Sequence, residues 1–150
     1  KENSHSYNIL LTNGYEFVEE IIIDEICVSI KAVSEELFKA FTGKDTPGKV
    51  LDNFKRYVDI SSVRVRAESI FIPDYIEIEE IEKIARFIGE INPSIPYRID
   101  GYIPYSENDR FRRPTKEEME KAKEISEKYL INVSILHYGV KVKHKVKRIY

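Results

Sequence analysis

Two kinds of spacing alternate along the chain. Residues 8–13 and 25–31 are short, nearly continuous apolar runs. Such runs fit strands buried on both faces of a parallel sheet better than half-exposed strands. The first run ends at Asn13-Gly14, a turn signal. Residues 63–72 alternate, become wholly apolar and stop at Pro73, while 97–103 and 132–137 are further strand-like segments. Helical spacing fills the intervals. Leu37, Phe38 and Phe41 follow Ser34, which is placed to cap a helix, with Glu35 and Glu36 at its positive end and Gly43 to close it. Thr46-Pro47 opens a second helix with Pro in its first position, and Val50, Leu51, Phe54 and Val58 recur along it. The clearest stripe is Ile78, Ile81, Ile84, Ala85, Ile88 and Ile91, with glutamates assigned to the opposite face. Asn92-Pro93 breaks it. Thr115-Lys116-Glu117-Glu118 is a capping box ahead of Met119, Ala122, Ile125 and Tyr129. One helical turn is expected at 16–20. A last half-exposed strand is expected at 139–150, where Val140, Val142 and Val146 alternate with Lys141, Lys143, Lys145 and Lys147. Strands separated by helices predict crossover connections, a mostly parallel sheet and a single α/β domain.

Composition narrows the class. The 150 residues are 42% hydrophobic and 33% charged, with a net charge of -2. That supports a real core and argues against a disordered or uniformly basic chain. The single cysteine, Cys27, excludes a disulfide framework and a multi-cysteine metal site within the chain. No apolar run nears the roughly 18 residues of a membrane span, and no signal peptide opens the sequence. A cytoplasmic protein is expected. Abundant Ile, Glu and Lys fit a thermophile. The chain opens on Lys1 and enters a strand within a few residues, so a piece of something longer is expected.

Self-contained catalytic motifs are absent from the sequence. The six glycines form no phosphate loop, and His5, His137 and His144 have no metal-ligand spacing. Cys27, mid-strand, is expected to be a small buried side chain. Polar residues at the carboxyl ends of the strands are more informative, because parallel α/β sheets bind ligands at that edge. Thr12 and Asn13 end the first strand. Ser29 and Lys31 share a face at the end of the second, Arg66 and Glu68 on the third, and Tyr105 and Ser106 follow the fourth. Together they are expected to line a polar site for a charged ligand. Five of residues 139–150 are Lys or Arg. They offer an anion or nucleic-acid surface, but lysines guarding an edge strand against aggregation weigh more, so nucleic acid is disfavoured.

Several segments then occur in a familiar order: Leu11-Thr12-Asn13-Gly14; Asp24-Glu25-Ile26-Cys27-Val28-Ser29-Ile30-Lys31-Ala32; Phe38-Lys39-Ala40-Phe41-Thr42-Gly43; Ile70-Phe71-Ile72-Pro73; Tyr102-Ile103-Pro104-Tyr105; and Arg113-Pro114-Thr115-Lys116-Glu117-Glu118-Met119-Glu120. From about residue 8 to 129 the chain resembles the carboxyl-terminal half of the pyruvate formate-lyase activating enzymes, of the radical S-adenosylmethionine (SAM) superfamily. The resemblance implies a partial TIM-like (β/α) barrel, here its third to sixth strands, followed by the basic strand at 139–150. It also implies SAM as cofactor. Thr12, Asn13, Ser29, Lys31, Arg66, Glu68, Tyr105 and Ser106 are the candidate cofactor-binding residues, and no metal ligand is assigned. Lys31 matches the lysine of the family's D-L-K strand end, Ser29 falls where that motif has Asp, and Leu11 replaces the Asp of D-T-N-G. Ser106 falls where the activating enzymes often carry a histidine.

The family's CxxxCxxC, which holds a [4Fe-4S] cluster, and its GGE-type motif are not in these residues. One thiolate cannot hold a four-iron cluster. The expectation is part of a radical SAM oxidoreductase, inactive alone, whose partner is an amino-terminal half or a protein substrate. Alternatives are a non-catalytic half-barrel that binds a partner or a second copy through an open sheet edge, and an anion-binding module using the lysine tail.

Overall fold

A computed structural model describes residues 7–19, 23–60 and 62–137. Five strands form one sheet in chain order: β1 (Ile9–Thr12), β2 (Glu25–Ser29), β3 (Arg64–Phe71), β4 (Tyr97–Gly101) and β5 (Val133–Leu136). Every neighbouring pair is parallel. The helices are α1 (Glu35–Thr42), α2 (Gly48–Val58), α3 (Ile78–Ile91) and α4 (Lys116–Ser126). An unbroken strand order is the winding of a β/α barrel; a doubly wound sheet reverses its order at a switch point. The expectation of a partial barrel therefore holds, and four of the five strands lie within residues 8–129. The strand expected at 139–150 lies outside the described residues.

The sheet's two faces differ in chemistry. On one face Ile26, Val28, Ile30, Ala67, Tyr97 and Ile99 meet helix residues Phe38, Phe54, Ile81, Ile84, Ile88 and Met119 in a single buried cluster. Each buried Ile or Phe contributes about 1.5–3 kcal/mol. The isoleucine stripe of α3 is the strongest sequence signal and behaves as expected at its centre, where Ile81, Ile84, Ala85 and Ile88 are fully buried. Inside the core the Tyr97 hydroxyl shares a short hydrogen bond with Ser69. Burial holds that phenol above its ordinary titration range, although the Ser69 bond opposes the rise.

Local details depart from the sequence reading in four places. Ser34 is the N-cap residue of α1, but its side chain makes no capping bond; the hydroxyl donates to Glu80 instead. Glu80 itself is 4% exposed, so one glutamate of α3 is not on the solvent face. Pro47 is the N-cap of α2 and not its first helical residue, so the helix starts at Gly48, one residue later than expected. The described part of 16–20 is irregular chain without a helix, pinned to α2: Phe17 stacks on Tyr57 at 4.6 Å between centroids, and the Val18 N–H bonds the Tyr57 hydroxyl. Gly43 closes α1 in the left-handed conformation at φ 72°, and Thr115 and Glu118 form the full capping box of α4, both as expected.

Candidate functional site

The other face of the sheet carries the polar residues. Side chains alternate across a strand, and residues in register on parallel neighbours share a face. Ser29 lies in register with Glu68, and Glu68 with Arg98. Cys27 lies in register with Leu11 on one side and Arg66 on the other. Ser29, Arg66 and Glu68 therefore come together as the sequence implies, and Lys31, two residues past Ser29, donates to the Ser29 hydroxyl at 2.7 Å.

Arg98 and Asp100, on β4, complete the group and were not singled out from sequence. Arg98 grips Asp100 through Nε to Oδ1 at 2.7 Å and Nη2 to Oδ2 at 2.9 Å. The same Nη2 donates to Glu68 Oε2 at 2.7 Å. The Cys27 thiol donates to that oxygen too, at 3.4 Å. Their sequence signal was the alternation of Arg98 and Asp100 with buried Tyr97 and Ile99.

Arg66 reaches Glu25, its Nε 2.8 Å from Oε1. That Nε is buried, and its N–H is not aligned to make a hydrogen bond. Among the described residues, then, the face carries three carboxylates (Glu25, Glu68, Asp100) and three cations (Lys31, Arg66, Arg98), of which the two arginines are ion-paired. Glu68 is only 19% exposed at its side chain. Cys27 is 1% exposed. Burial first, then the Glu68 charge, pushes its thiol up to about 11, so it stays protonated at neutral pH and fits a buried, inert side chain.

The remaining candidates are arranged differently. Thr12 is in register with Val28, so it points toward the helix-covered face, and its hydroxyl accepts from the Gly14 N–H at 3.0 Å. Asn13 accepts from the Tyr15 N–H and helps line a cavity of about 130 Å³ together with Tyr15, Lys31 and Lys44. Tyr105 and Ser106 lie in the β4–α4 loop; Tyr105 is 99% exposed. Ser106 borders an open groove of about 620 Å³ with Arg110, Arg112 and Arg113. Neither makes a hydrogen bond or ion pair to the strand residues among the described residues.

Open valences decide what the face can hold. Glu68 Oε1 accepts nothing among the described residues, and Lys31 has Ser29 as its hydrogen-bond partner with no carboxylate within ion-pair distance. Such a set of unfilled donors and acceptors fits a polar ligand that can both accept and donate hydrogen bonds. It does not fit an iron–sulfur cluster: the chain has one cysteine, and no group of three metal-ligating side chains occurs among the described residues.

No protein-family model matches the chain. A protein of Methanocaldococcus jannaschii described as a glycyl-radical enzyme activating enzyme is 37% identical over 134 residues, which is 85% of this chain and 51% of that protein. The chain thus spans about half the length of this curated relative. A domain of a pyruvate-formate lyase-activating enzyme from Bacteroides vulgatus superposes with a TM-score of 0.61 at 18% identity, covering 75% of this chain and 67% of that one. A radical SAM methyltransferase from Sphaerobacter thermophilus gives 0.62 at 19% identity, over 79% of this chain and 35% of the other. The resemblance read from the sequence is borne out: the chain is similar to a part of radical SAM activating enzymes and carries their fold. No helix among the described residues is long and apolar enough to cross a membrane.

Proposed function

We propose that this chain forms part of a radical SAM enzyme of the activating type, supplying strands of its barrel and one wall of its SAM pocket. The observation that carries this reading is the 37% identity to a glycyl-radical enzyme activating enzyme across most of the chain. The polar sheet face supports it, since ligands of β/α barrels bind at the carboxyl ends of the strands.

In this reading Lys31 donates to the anionic or hydroxyl groups of SAM, Ser29 fixes the lysine's amine, and Glu68 accepts from a SAM donor. Arg66, its Nε buried without a hydrogen bond, supplies a second positive group, and Asn13 lies at the rim beside Lys31. Thr12 shapes the turn through its bond to Gly14, while Tyr105 and Ser106 reach the ligand from the β4–α4 loop. Bound SAM supplies a 5′-deoxyadenosyl radical when an iron–sulfur cluster reduces it. Such a cluster requires cysteines beyond Cys27, so its ligands come from a segment or partner outside the 150 residues. β1 and β5 are the two edge strands among the described residues, and the β1 edge is where the amino-terminal part of the barrel pairs. The hydrogen donor is a glycine of a partner enzyme.

The test is SAM cleavage. Protein from the complete reading frame, purified anaerobically and reduced, is expected to release 5′-deoxyadenosine, and the 150-residue chain alone to release none. Release by the isolated chain, or by neither, overturns the reading.

A further inference from the structure

The loop between β4 and α4 holds its shape through one carboxylate. Asp109 Oδ2 accepts from the Tyr102 hydroxyl at 2.8 Å and the Tyr105 N–H at 2.9 Å, and Oδ1 accepts from the Phe111 N–H at 3.1 Å. Phe111 stacks on Tyr75 at 4.8 Å between ring centroids and meets Tyr102 edge-on at 6.0 Å. Arg112 forks onto Glu118 through Nη1 at 2.9 Å and Nη2 at 2.6 Å, which ties the loop to the capping box of α4. A loop fixed in this way has little conformational freedom left to lose when something binds to it.

What the loop presents is a mixed surface. Its groove of about 620 Å³ is lined in part by Pro104 and Phe111, by three arginines (Arg110, Arg112, Arg113) and by two acids (Glu107, Asp109). This local excess of positive charge sits on a chain whose net charge is -2. Asp109 is spent inside the loop, and Arg112 on Glu118. Arg110 differs: its guanidinium carbon lies 5.1 Å from the centroid of the Phe111 ring and 5.9 Å from that of Tyr75, and among the described residues it has no carboxylate within ion-pair distance. A guanidinium laid against rings keeps its edge donors for a carboxylate, whose two oxygens they match. Ile103 and Tyr105 flank Pro104 in the chain and are 61% and 99% exposed.

A small anion would satisfy Arg110 and leave the apolar residues in water, and a nucleic-acid strand would set its phosphates against Glu107. A protein segment with a carboxylate beside an apolar side chain answers both features, and tyrosine and arginine are enriched where protein interfaces concentrate their energy. We propose that the β4–α4 loop docks an acidic, apolar-flanked segment of a partner protein, with Arg110 taking its carboxylate and Ile103 covering its apolar side chain. Neither Arg110 nor Ile103 belongs to the polar sheet face, so this docking is independent of the SAM pocket.

The experiment is selection of phage-displayed random short peptides on the complete protein, followed by fluorescence-polarisation binding of the best synthetic peptide. The enriched sequences are expected to place Asp or Glu next to Leu, Ile or Phe. Arg110→Gln is expected to weaken the peptide at least about 10-fold, the worth of one charge-assisted contact. Ile103→Ser is expected to weaken it at least about fivefold. Lys121→Gln, which removes a charge from the exposed side of α4, is expected to stay within about twofold of wild type. SAM affinity in the Arg110 and Ile103 variants is expected within about twofold of wild type. A selection that enriches no peptide, or only peptides without carboxylates, overturns the docking surface. Equal losses in Arg110→Gln and Lys121→Gln overturn it as well, because the attraction is then unspecific. Variants that lose SAM affinity along with the peptide would assign the loop to the SAM pocket and overturn the docking surface. Wild-type protein that binds the acidic peptide at Arg110 but binds no SAM leaves the docking surface standing and removes the pocket.

Discussion

Glu80→Ala is expected to lower the unfolding free energy by about 3–5 kcal/mol, the range for removing one member of a buried charged network. Glu80 Oε1 accepts from the Val33 N–H at 2.6 Å and the Ser34 N–H at 2.8 Å, and Oε2 takes the Ser34 hydroxyl. Lys83 Nζ lies 3.5 Å away. A carboxylate from α3 thereby serves the orphan amides at the start of α1, where the helix dipole also favours negative charge. Alanine leaves those amides unsatisfied, at about 1–3 kcal/mol each. Its better helix propensity returns well under about 1 kcal/mol. Glu80→Gln keeps one acceptor oxygen and is expected to cost about half as much, the neutral bonds being roughly half as strong.

The same network predicts a pH dependence. Burial pushes the Glu80 carboxyl up, but the Ser34 hydroxyl, the Ser34 and Val33 amides and the Lys83 charge outweigh it and hold the group below its ordinary value. A carboxyl lowered in the folded state stabilises fully above its unfolded value, about 4.3. That contribution is lost as pH falls through the lower, folded value. Urea unfolding should therefore show the gap between wild type and Glu80→Gln narrowing from pH 7 toward pH 3. A constant gap, or a Glu80→Ala cost under about 1 kcal/mol, the range of an ordinary surface change, defeats this account.

The second large effect is at Gly14. Its φ is +72°, and an added Cβ would lie 2.8 Å from Val28 Cγ1 and 3.1 Å from Val50 Cγ1. The left-handed conformation costs a non-glycine residue about 1–2 kcal/mol. Forcing a methyl against two core valines adds about 1–3 kcal/mol. Gly14→Ala should thus cost about 2–5 kcal/mol, the overlap adding to the conformational strain. Gly43 supplies the control, since its φ is also +72° but its Cβ would meet nothing within 4 Å. Gly43→Ala should cost only the conformational part. Equal losses for the two variants in urea titrations would remove the clash from the explanation. Gly14 also matters to the site: its carbonyl accepts from Asn53 at 2.9 Å and its N–H bonds Thr12, which together fix the turn holding Asn13 beside Lys31.

The parts of this molecule legible in the sequence are those set by local rules. Alternation alone put Ser29 with Lys31 and Arg66 with Glu68, and the isoleucine spacing of α3 located the core face. Register is not local. Nothing in the sequence placed Arg98 beside Glu68, so the clamp went unseen although Arg98 and Asp100 alternate with buried neighbours. The departure at Ser29 read as the loss of a carboxylate, yet the pairing of β2 with β3 sets Glu68 alongside it. Glu80 was hidden for a similar reason. On a helical wheel it is one more polar residue, and only the packing of α3 against the start of α1 gives it two amides and a hydroxyl to bind. Ser34 was read as a cap for its own helix, but a stronger acceptor stood within reach.

The central claim is that the polar face around Lys31 holds SAM. The most direct measurement is equilibrium binding of SAM to the complete protein and to its Lys31→Ala variant. The account predicts saturable binding by wild type and affinity at least about 10-fold weaker in the variant, the worth of one charge-assisted hydrogen bond. Equal affinity in the two proteins, or no binding by wild type, would contradict it.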